Sequence, residues 1–285
     1  MAIIAVQNLT YIYPTTKTPA LNDITFQVDR GEFLAIVGPN EAGKSSLCYA
    51  LSGFIPHFFR GTLEGSVHIA EMNTQESKLA DLVMKVGLVF QNPFNQMSGS
   101  KFTVFEEIAF GLENIGTPRE KMIKRVEKVM AQTGIRDLAE RSPYSLSGGQ
   151  QQRVAIASIL VMEPEVLVLD EPTSQLDPIG SQEVFHVIKG MSKRGLTVVM
   201  VEHKIEWVAE FADRVIALHE GKVILEGSPQ HVLTSPTLEE IGAGGSRYTR
   251  AARRAVQEKI WPGEVPLPIT LDAALTGFTK GLDAH

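Results

Sequence analysis

Gly38-Pro39-Asn40-Glu41-Ala42-Gly43-Lys44-Ser45 has the spacing of a loop that wraps a polyphosphate. Its backbone N–H groups and the N-terminus of the helix that follows would point at an anion, and Lys44 would reach the β- and γ-phosphates. The Ser45 hydroxyl suits Mg²⁺, which keeps most of its other ligands as water or phosphate oxygen. Gly38, Asn40, Gly43, Lys44, Ser45 and Ser46 are therefore the candidate phosphate-site residues. Glu41 is unexpected there, because a carboxylate repels a triphosphate unless it faces solvent, so it is expected to point outward and to be nearly neutral for binding. A second segment, Val166-Leu167-Val168-Leu169-Asp170-Glu171, is an apolar strand ending in two acids. Successive strand residues point to opposite sides, so the acids can do separate work. Asp170 is suited to hold a Mg²⁺-bound water, and Glu171 to polarise or orient an attacking water.

The elements that must position these residues read as alternating strands and helices. Ile3–Val6, Ile24–Val28 and Phe33–Val37 read as strands ahead of the glycine loop, with a helix from Lys44 to about Leu51 behind it. Val67–Ile69 and Val86–Phe90 read as further strands. Residues 92–160 change character. Thr103 and Glu106 have capping-box spacing, and after Pro118 the residues Met122, Val126, Val129 and Met130 recur at helical intervals. Strand–helix alternation returns with Val166–Leu169, a helix near Gln182–Lys193, Val198–Val201, and a hairpin of Val215–Leu218 and Val223–Glu226 around Glu220-Gly221. This is the pattern of a largely parallel sheet with helices on both faces and a helical insert. From residue 231 a small appendage follows, with a basic run and a proline-rich stretch.

Composition narrows the functional classes. With 285 residues and 44% hydrophobic content, one large domain plus an appendage is the expected organisation, and disorder is excluded. Cys48 is the single cysteine, so no disulfide framework exists within the chain, and a reducing intracellular compartment is expected. Cys48 itself reads as a small buried apolar group. No apolar run approaches the ~18–20 residues a membrane helix needs, and the first residues lack the basic and apolar regions of a signal peptide. A net charge of −6 argues against nonspecific nucleic-acid binding, which depends on Lys and Arg neutralising phosphates.

Leu146-Ser147-Gly148-Gly149-Gln150, followed by a helical run from Gln151, resembles the signature motif of ATP-binding cassette (ABC) ATPases. The order of the phosphate loop, Gln91, Ser147–Gln150, Asp170-Glu171, Ser174–Asp177 and His203 is similar to that family throughout. The spacing between Gly43 and Ser147 leaves room for a helical insert but not for a long coiled-coil arm. The resemblance implies an α/β nucleotide-binding domain over residues 1–230: a RecA-like core sheet, an antiparallel β part, a helical subdomain at about 92–160, and a C-terminal extension at 231–285. It implies ATP and Mg²⁺ as ligands, with Tyr13, or else Tyr11, stacking on adenine. Gln91 joins Ser45 and Asp170 in the Mg²⁺ shell. Glu171, His203 and Gln91 are the catalytic candidates, His203 contacting the γ-phosphate and positioning water. Ser147, Gly149 and Gln150 act in trans on the ATP held by an opposing subunit, and Ser174-Gln175-Leu176-Asp177 links the two sites. Gln175 stands where a small alanine is more usual.

Gln91–Gln96, Glu107–Asn114, Gly116–Glu120 and the tail Leu267–Ala274 look like energy-coupling factor (ECF) ATPases, which power prokaryotic importers of vitamins and transition-metal ions. That resemblance implies a peripheral protein on the cytoplasmic face of the cell membrane. Its partners would be a second ABC ATPase, identical or paralogous, and an integral-membrane coupling subunit that moves a separate substrate-binding component; nucleic acid is not among them. Phe94, Met97 and Phe102 lie near the expected docking groove, with core packing as the alternative. A soluble ABC ATPase remodelling nucleic acid or ribosomes is the competing reading. Arg247, Arg250, Arg253 and Arg254 would line one side of a helix, expected to be a solvated face, with a contact to acidic lipid or a partner as the alternative.

Overall fold

The computed structural model describes residues 1–283. Two sheets form the frame. The smaller is antiparallel, with strand order β2-β1-β4-β5: β1 (Ala2–Ile12), β2 (Leu21–Asp29), β4 (Thr62–Ile69) and β5 (Met72–Asn73). The larger runs β10-β9-β3-β8-β7-β6, from β3 (Phe33–Val37), β6 (Val86–Val89), β7 (Val166–Asp170), β8 (Thr197–Val201), β9 (Arg214–His219) and β10 (Lys222–Gly227). All its pairings are parallel except β9 with β10, the expected hairpin. β3, β6, β7 and β8 are buried along their whole lengths, as strands covered on both faces must be.

The helices are α1 (Lys44–Leu51), α2 (Phe54–His57), α3 (Leu79–Leu82), α4 (Val104–Asn114), α5 (Arg119–Gln132), α6 (Gly148–Leu160), α7 (Pro178–Ser192), α8 (Ile205–Phe211), α9 (Pro229–Leu233), α10 (Pro236–Glu240), α11 (Arg247–Gln257) and α12 (Leu271–Asp283). One face of the larger sheet shares a core with the antiparallel sheet and α1, through residues such as Ile36, Leu47, Val168 and Ile4. The other face packs on α4, α5, α6 and α7, through Ile108, Val126, Ile156 and Phe185. The capping box at Thr103 and Glu106 starts α4, and Val126, Val129 and Met130 are buried on α5, with Met122 partly so. Among the described residues no helix is long and apolar enough to cross a membrane.

Several elements differ from their sequence pattern for identifiable reasons. β1 continues six residues past Val6 because a bulge near Asn8 (φ 48°) shifts the alternation, returning Leu9 and Tyr11 to the buried side. β4 begins at Thr62 through a stretch lacking buried apolar residues. α7 begins at Pro178, earlier than its apolar periodicity suggests, since Asp177 caps it and Pro178 fills the first turn.

Beyond residue 230, Val232, Leu233 and Leu238 join Ala35, Val37, Val215 and Ala217 in one apolar cluster on the main sheet. A second small core holds α11 and α12 together: Ala252, Ala255 and Trp261, packed with Val265, Leu267 and Phe278. Gly277 is required there, because a Cβ would fall 2.0 Å from the Trp261 ring. The basic run is mostly solvated, with Arg247, Arg250 and Arg254 exposed and Arg253 half-buried, and its charges are partly paired. Arg247 pairs with Glu206, Arg253 with Glu239, and Arg254 with Glu258.

Candidate functional site

β3 delivers the glycine loop and α1 receives it. Gly43 caps α1 at φ 96°, where a Cβ would lie 2.3 Å from the Ala20 carbonyl oxygen, so only glycine allows the backbone to approach there. Lys44 is nearly buried, and its Nζ donates to the carbonyls of Gly38 (3.1 Å) and Pro39 (2.7 Å). Burial lowers its pKa, while the carboxylates of Glu171 and Asp170 work the other way. The ammonium is thus parked on the loop that it would leave to meet a phosphate.

Across the loop, β7 places its two acids on different duties. Asp170 is 4% exposed and accepts from Ser45 Oγ at 3.2 Å. Burial pushes its carboxyl up to about 6, against the Ser45 bond. Glu171 sits just past the strand at φ 49°. Its Oε1 lies 2.8 Å from His203 Nε2, and its Oε2 accepts from Gln91 Nε2 at 3.0 Å. The His203 bond holds the Glu171 carboxyl below the usual range, so it is ionised at neutral pH. Asn40, Glu41, Gly43, Lys44, Ser45, Ser46, Gln91 and Glu171 line one cleft of about 350 Å³. Glu41 is exposed at its rim.

The two tyrosines separate cleanly. Tyr11 is fully buried, with its hydroxyl donating to the Arg60 carbonyl at 2.9 Å, so neither ring face is open to a base. Tyr13 is half-buried, and its hydroxyl is 3.0 Å from Ser46 Oγ on α1.

Ser147, Gly149, Gln150 and Asp177 do not line this cleft. Ser147 and Gln150 form a capping box that opens α6, with Gln150 Oε1 accepting from Ser147 N at 3.1 Å. Gly149 is buried against Gly180 of α7. Asp177 Oδ1 accepts from Gly180 N at 2.8 Å. Sequence reading passed over the residues that hold the Gln91 turn: Gln152 donates to the Phe90 carbonyl, Gln96 accepts from Phe90 N, and Gln96 also donates to the Ala155 carbonyl. A glutamine at buried position 152 of an amphipathic helix was the available signal. It also passed over Thr173, Glu202 and Lys204, which bond to one another and to the backbone N–H of His203; the signal there was a charged residue just past a wholly apolar strand.

The chain matches the ABC transporter family over residues 21–174. An energy-coupling factor transporter ATP-binding protein EcfA1 of Lacticaseibacillus paracasei is 46% identical over 233 residues, covering 81% of each chain. Its counterpart in Caldanaerobacter subterraneus is 40% identical over 264 residues, 90% of this chain and 92% of that one. The chain belongs to the ABC transporter ATP-binding family. Within it, the resemblance is to the ECF branch. The structure of cbiO1 from Clostridium perfringens, part of the ABC transporter complex cbiONQ, superposes with a TM-score of 0.75 at 34% identity, covering 90% of this chain and 99% of that one. A dimeric ATP-binding cassette in a post-hydrolysis state, bound to ADP and phosphate, superposes at 0.68 with 29% identity, covering 79% and 98%. This ABC protein is an ATP-binding ATPase, and a cleft of about 350 Å³ opens on its Gly38–Ser45 loop.

Proposed function

We propose that this ATPase is the motor subunit of an ECF-type importer of vitamins or transition-metal ions, working as a head-to-tail dimer, with an identical or paralogous partner, on a membrane coupling protein. The hydrolytic part of the reading is carried by Glu171, held between His203 and Gln91 at the mouth of the glycine loop, and the importer part by the 40–46% identity to ECF transporter ATP-binding proteins.

In this reading the loop N–H groups and Lys44 hold the phosphates, and Tyr13 offers its ring to adenine. Glu171 accepts a proton from, or orients, the attacking water, and His203 fixes the carboxylate and reaches the γ-phosphate. The oxygen donors of Ser45 and Asp170, 3.2 Å apart, with the Gln91 amide nearby, fit Mg²⁺, which needs few protein ligands. Mg²⁺ would supply charge neutralisation on the phosphates, and a bound cation would relieve the burial penalty on Asp170. Ser147, Gly149 and Gln150 lie outside the chain's own cleft, and in this reading they contribute to an opposing subunit's ATP, Ser147 from the exposed surface and Gly149 from beneath it. In this reading Asp177 belongs to the loop between the two sites, and the C-terminal extension assists pairing of the two ATPases.

The membrane partner is read from the surface beyond Gln91. Phe94 and Phe102 are 53% and 83% exposed, and Phe94 stacks on Tyr144 at 6.4 Å, whereas Met97 packs inward. Burying those rings against a coupling helix is the favourable outcome of docking. The protein then sits peripherally on the cytoplasmic face of the membrane. Tagging the chain in its host, extracting membranes in mild detergent and identifying what co-purifies tests this. A small integral-membrane coupling protein with a substrate-binding membrane component is expected. Recovery only from the soluble fraction with ribosomes or nucleic acid would overturn the transport assignment and leave the ATPase standing.

A further inference from the structure

Beneath the Glu171–His203 pair lies a second carboxylate that the hydrolytic scheme does not use. Glu202, the residue after β8, is 1% exposed. Its Oε1 accepts from the backbone N–H of His203 at 3.0 Å and of Lys204 at 3.2 Å, and its Oε2 accepts from Thr173 Oγ1 at 2.8 Å. Lys204 completes the arrangement, donating from Nζ to the Thr173 carbonyl at 2.9 Å and to Ser181 Oγ on α7 at 2.7 Å. Directly above, Glu171 N donates to the Val201 carbonyl at 3.0 Å, so the parallel pairing of β7 and β8 continues one residue past the end of β7. The turns after the two strands are therefore fastened to each other by side chains, where the sheet ladder has stopped. The 2.8 Å contact of Glu171 with His203 is the solvent-facing rung of that assembly.

A buried charge is retained only where donors surround it, and here every donor belongs to the backbone or side chains that flank the two reacting residues. Burial pushes the Glu202 carboxyl up, and the Thr173 and backbone bonds oppose this. A carboxylate has the acceptor capacity to hold three donors at once, which no apolar residue in this strand-end position provides.

We infer that Glu202 is a positioning residue for hydrolysis: it holds the His203 backbone and, through Thr173, the turn after Glu171, so that imidazole and carboxylate meet in one geometry. The inference rests on Glu171 and His203 acting in hydrolysis as read above. Thr173 and Lys204 are its two auxiliaries, one on each turn.

The test is steady-state ATP hydrolysis by the full chain, or by its purified complex, in Glu202→Ala, Thr173→Val and Glu202→Gln variants. Glu202→Ala and Thr173→Val are expected to lower kcat by about 10- to 100-fold, as misplacement of a reacting group does. KM for ATP stays within about twofold, since the nucleotide contacts are made elsewhere. Glu202→Gln keeps an acceptor for the two backbone N–H groups and an N–H for the Thr173 hydroxyl, and restores kcat to within about threefold of the parent. In a His203→Ala background, Glu202→Ala is expected to remove little of the residual rate, because both changes act on one contact. An unchanged kcat in Thr173→Val together with Glu202→Ala overturns the inference, as does a Glu202→Ala loss of full size in the His203→Ala background. Should Glu202→Ala not fold, Thr173→Val and Glu202→Gln carry the result. Parental kcat in both Glu171→Gln and His203→Ala would instead remove the hydrolytic reading, an outcome distinct from the failure of Glu202 alone.

Discussion

Gly149 and Gly180 face each other closely: a Cβ on Gly149 would lie 3.0 Å from Gly180 Cα, whereas one on Gly180 would lie 3.5 Å from Gly149 Cα and 2.8 Å from Asp177 Oδ1. The contact brings the N-terminal turns of α6 and α7 together, and with them Ser147 on one helix cap and Asp177 on the other. Gly149 therefore has a structural duty beside any contact with nucleotide.

Gly149→Ala is expected to lower stability by about 1 kcal/mol net, since overpacking costs about 1–3 kcal/mol and helix propensity returns up to about 1. Gly180→Ala displaces the Asp177 cap and costs a similar amount, about 1 kcal/mol. The midpoint of urea unfolding reads both. Midpoints equal to the parent's would show that α6 and α7 can separate freely here.

Glu171→Gln keeps the size of the side chain but removes its charge and its capacity to accept a proton. Hydrolysis is expected to fall by about 10²–10⁴-fold, while ATP binding is retained and a nucleotide-bound dimer accumulates. Phosphate release and size-exclusion chromatography with ATP measure the two effects. Undiminished turnover would exclude Glu171 as the residue acting on water.

Tyr13 and Tyr11 are two residues apart and are expected to fail differently. Tyr13→Ala should weaken ATP binding by the value of one base–aromatic stack, about 1–3 kcal/mol, and Tyr13→Phe should nearly restore it despite losing the bond to Ser46. Tyr11→Ala removes a fully buried ring and should instead lower unfolding stability by about 3 kcal/mol or more. Fluorescent-nucleotide titration beside thermal unfolding separates them. Parental affinity in Tyr13→Ala would leave adenine to another residue.

Glu165 gives a pH dependence of known sign. It accepts from Lys85 at 2.7 Å and Arg30 at 2.6 Å, tying the start of β7 to the residue before β6 and to the turn before β3. Hydrogen bonds from Lys85 and then Arg30 hold its carboxyl below the usual range. A depressed carboxyl contributes stability that is fully present above its unfolded pKa and is lost as pH falls through the folded one. Glu165→Gln should therefore cost about 0.5–1 kcal/mol at pH 7, and the difference should vanish in strong acid. Urea midpoints of both proteins at several pH values measure it. A gap that persists unchanged below pH 3 would mean the residue acts through packing.

Much of the site was legible in the chain because its chemistry is local. Gly38–Ser46 depends on the backbone of one loop and one helix start, so the residue types in order suffice to predict it. Asp170 and Glu171 were readable as a pair because a buried parallel strand is a continuous apolar run that ends in polar residues. α4 was announced by its own capping box.

Long-range relationships were not legible. The Glu171 contacts span 32 residues to His203 and 80 to Gln91, and no periodicity encodes a distance between separate loops. Which of Tyr11 and Tyr13 is buried needed the bulge in β1, which decides which ring the core consumes. Glu202 reads along the chain as one more charged residue after a strand. Only the parallel pairing of β7 with β8 brings Thr173 to its carboxylate, because strand neighbours in a parallel sheet are distant in sequence and adjacent in space. The sequence alone determined the glycine loop, the strand-end acids and the family. Tertiary structure decided which side chains are aligned, which are buried, and which hold the others in place.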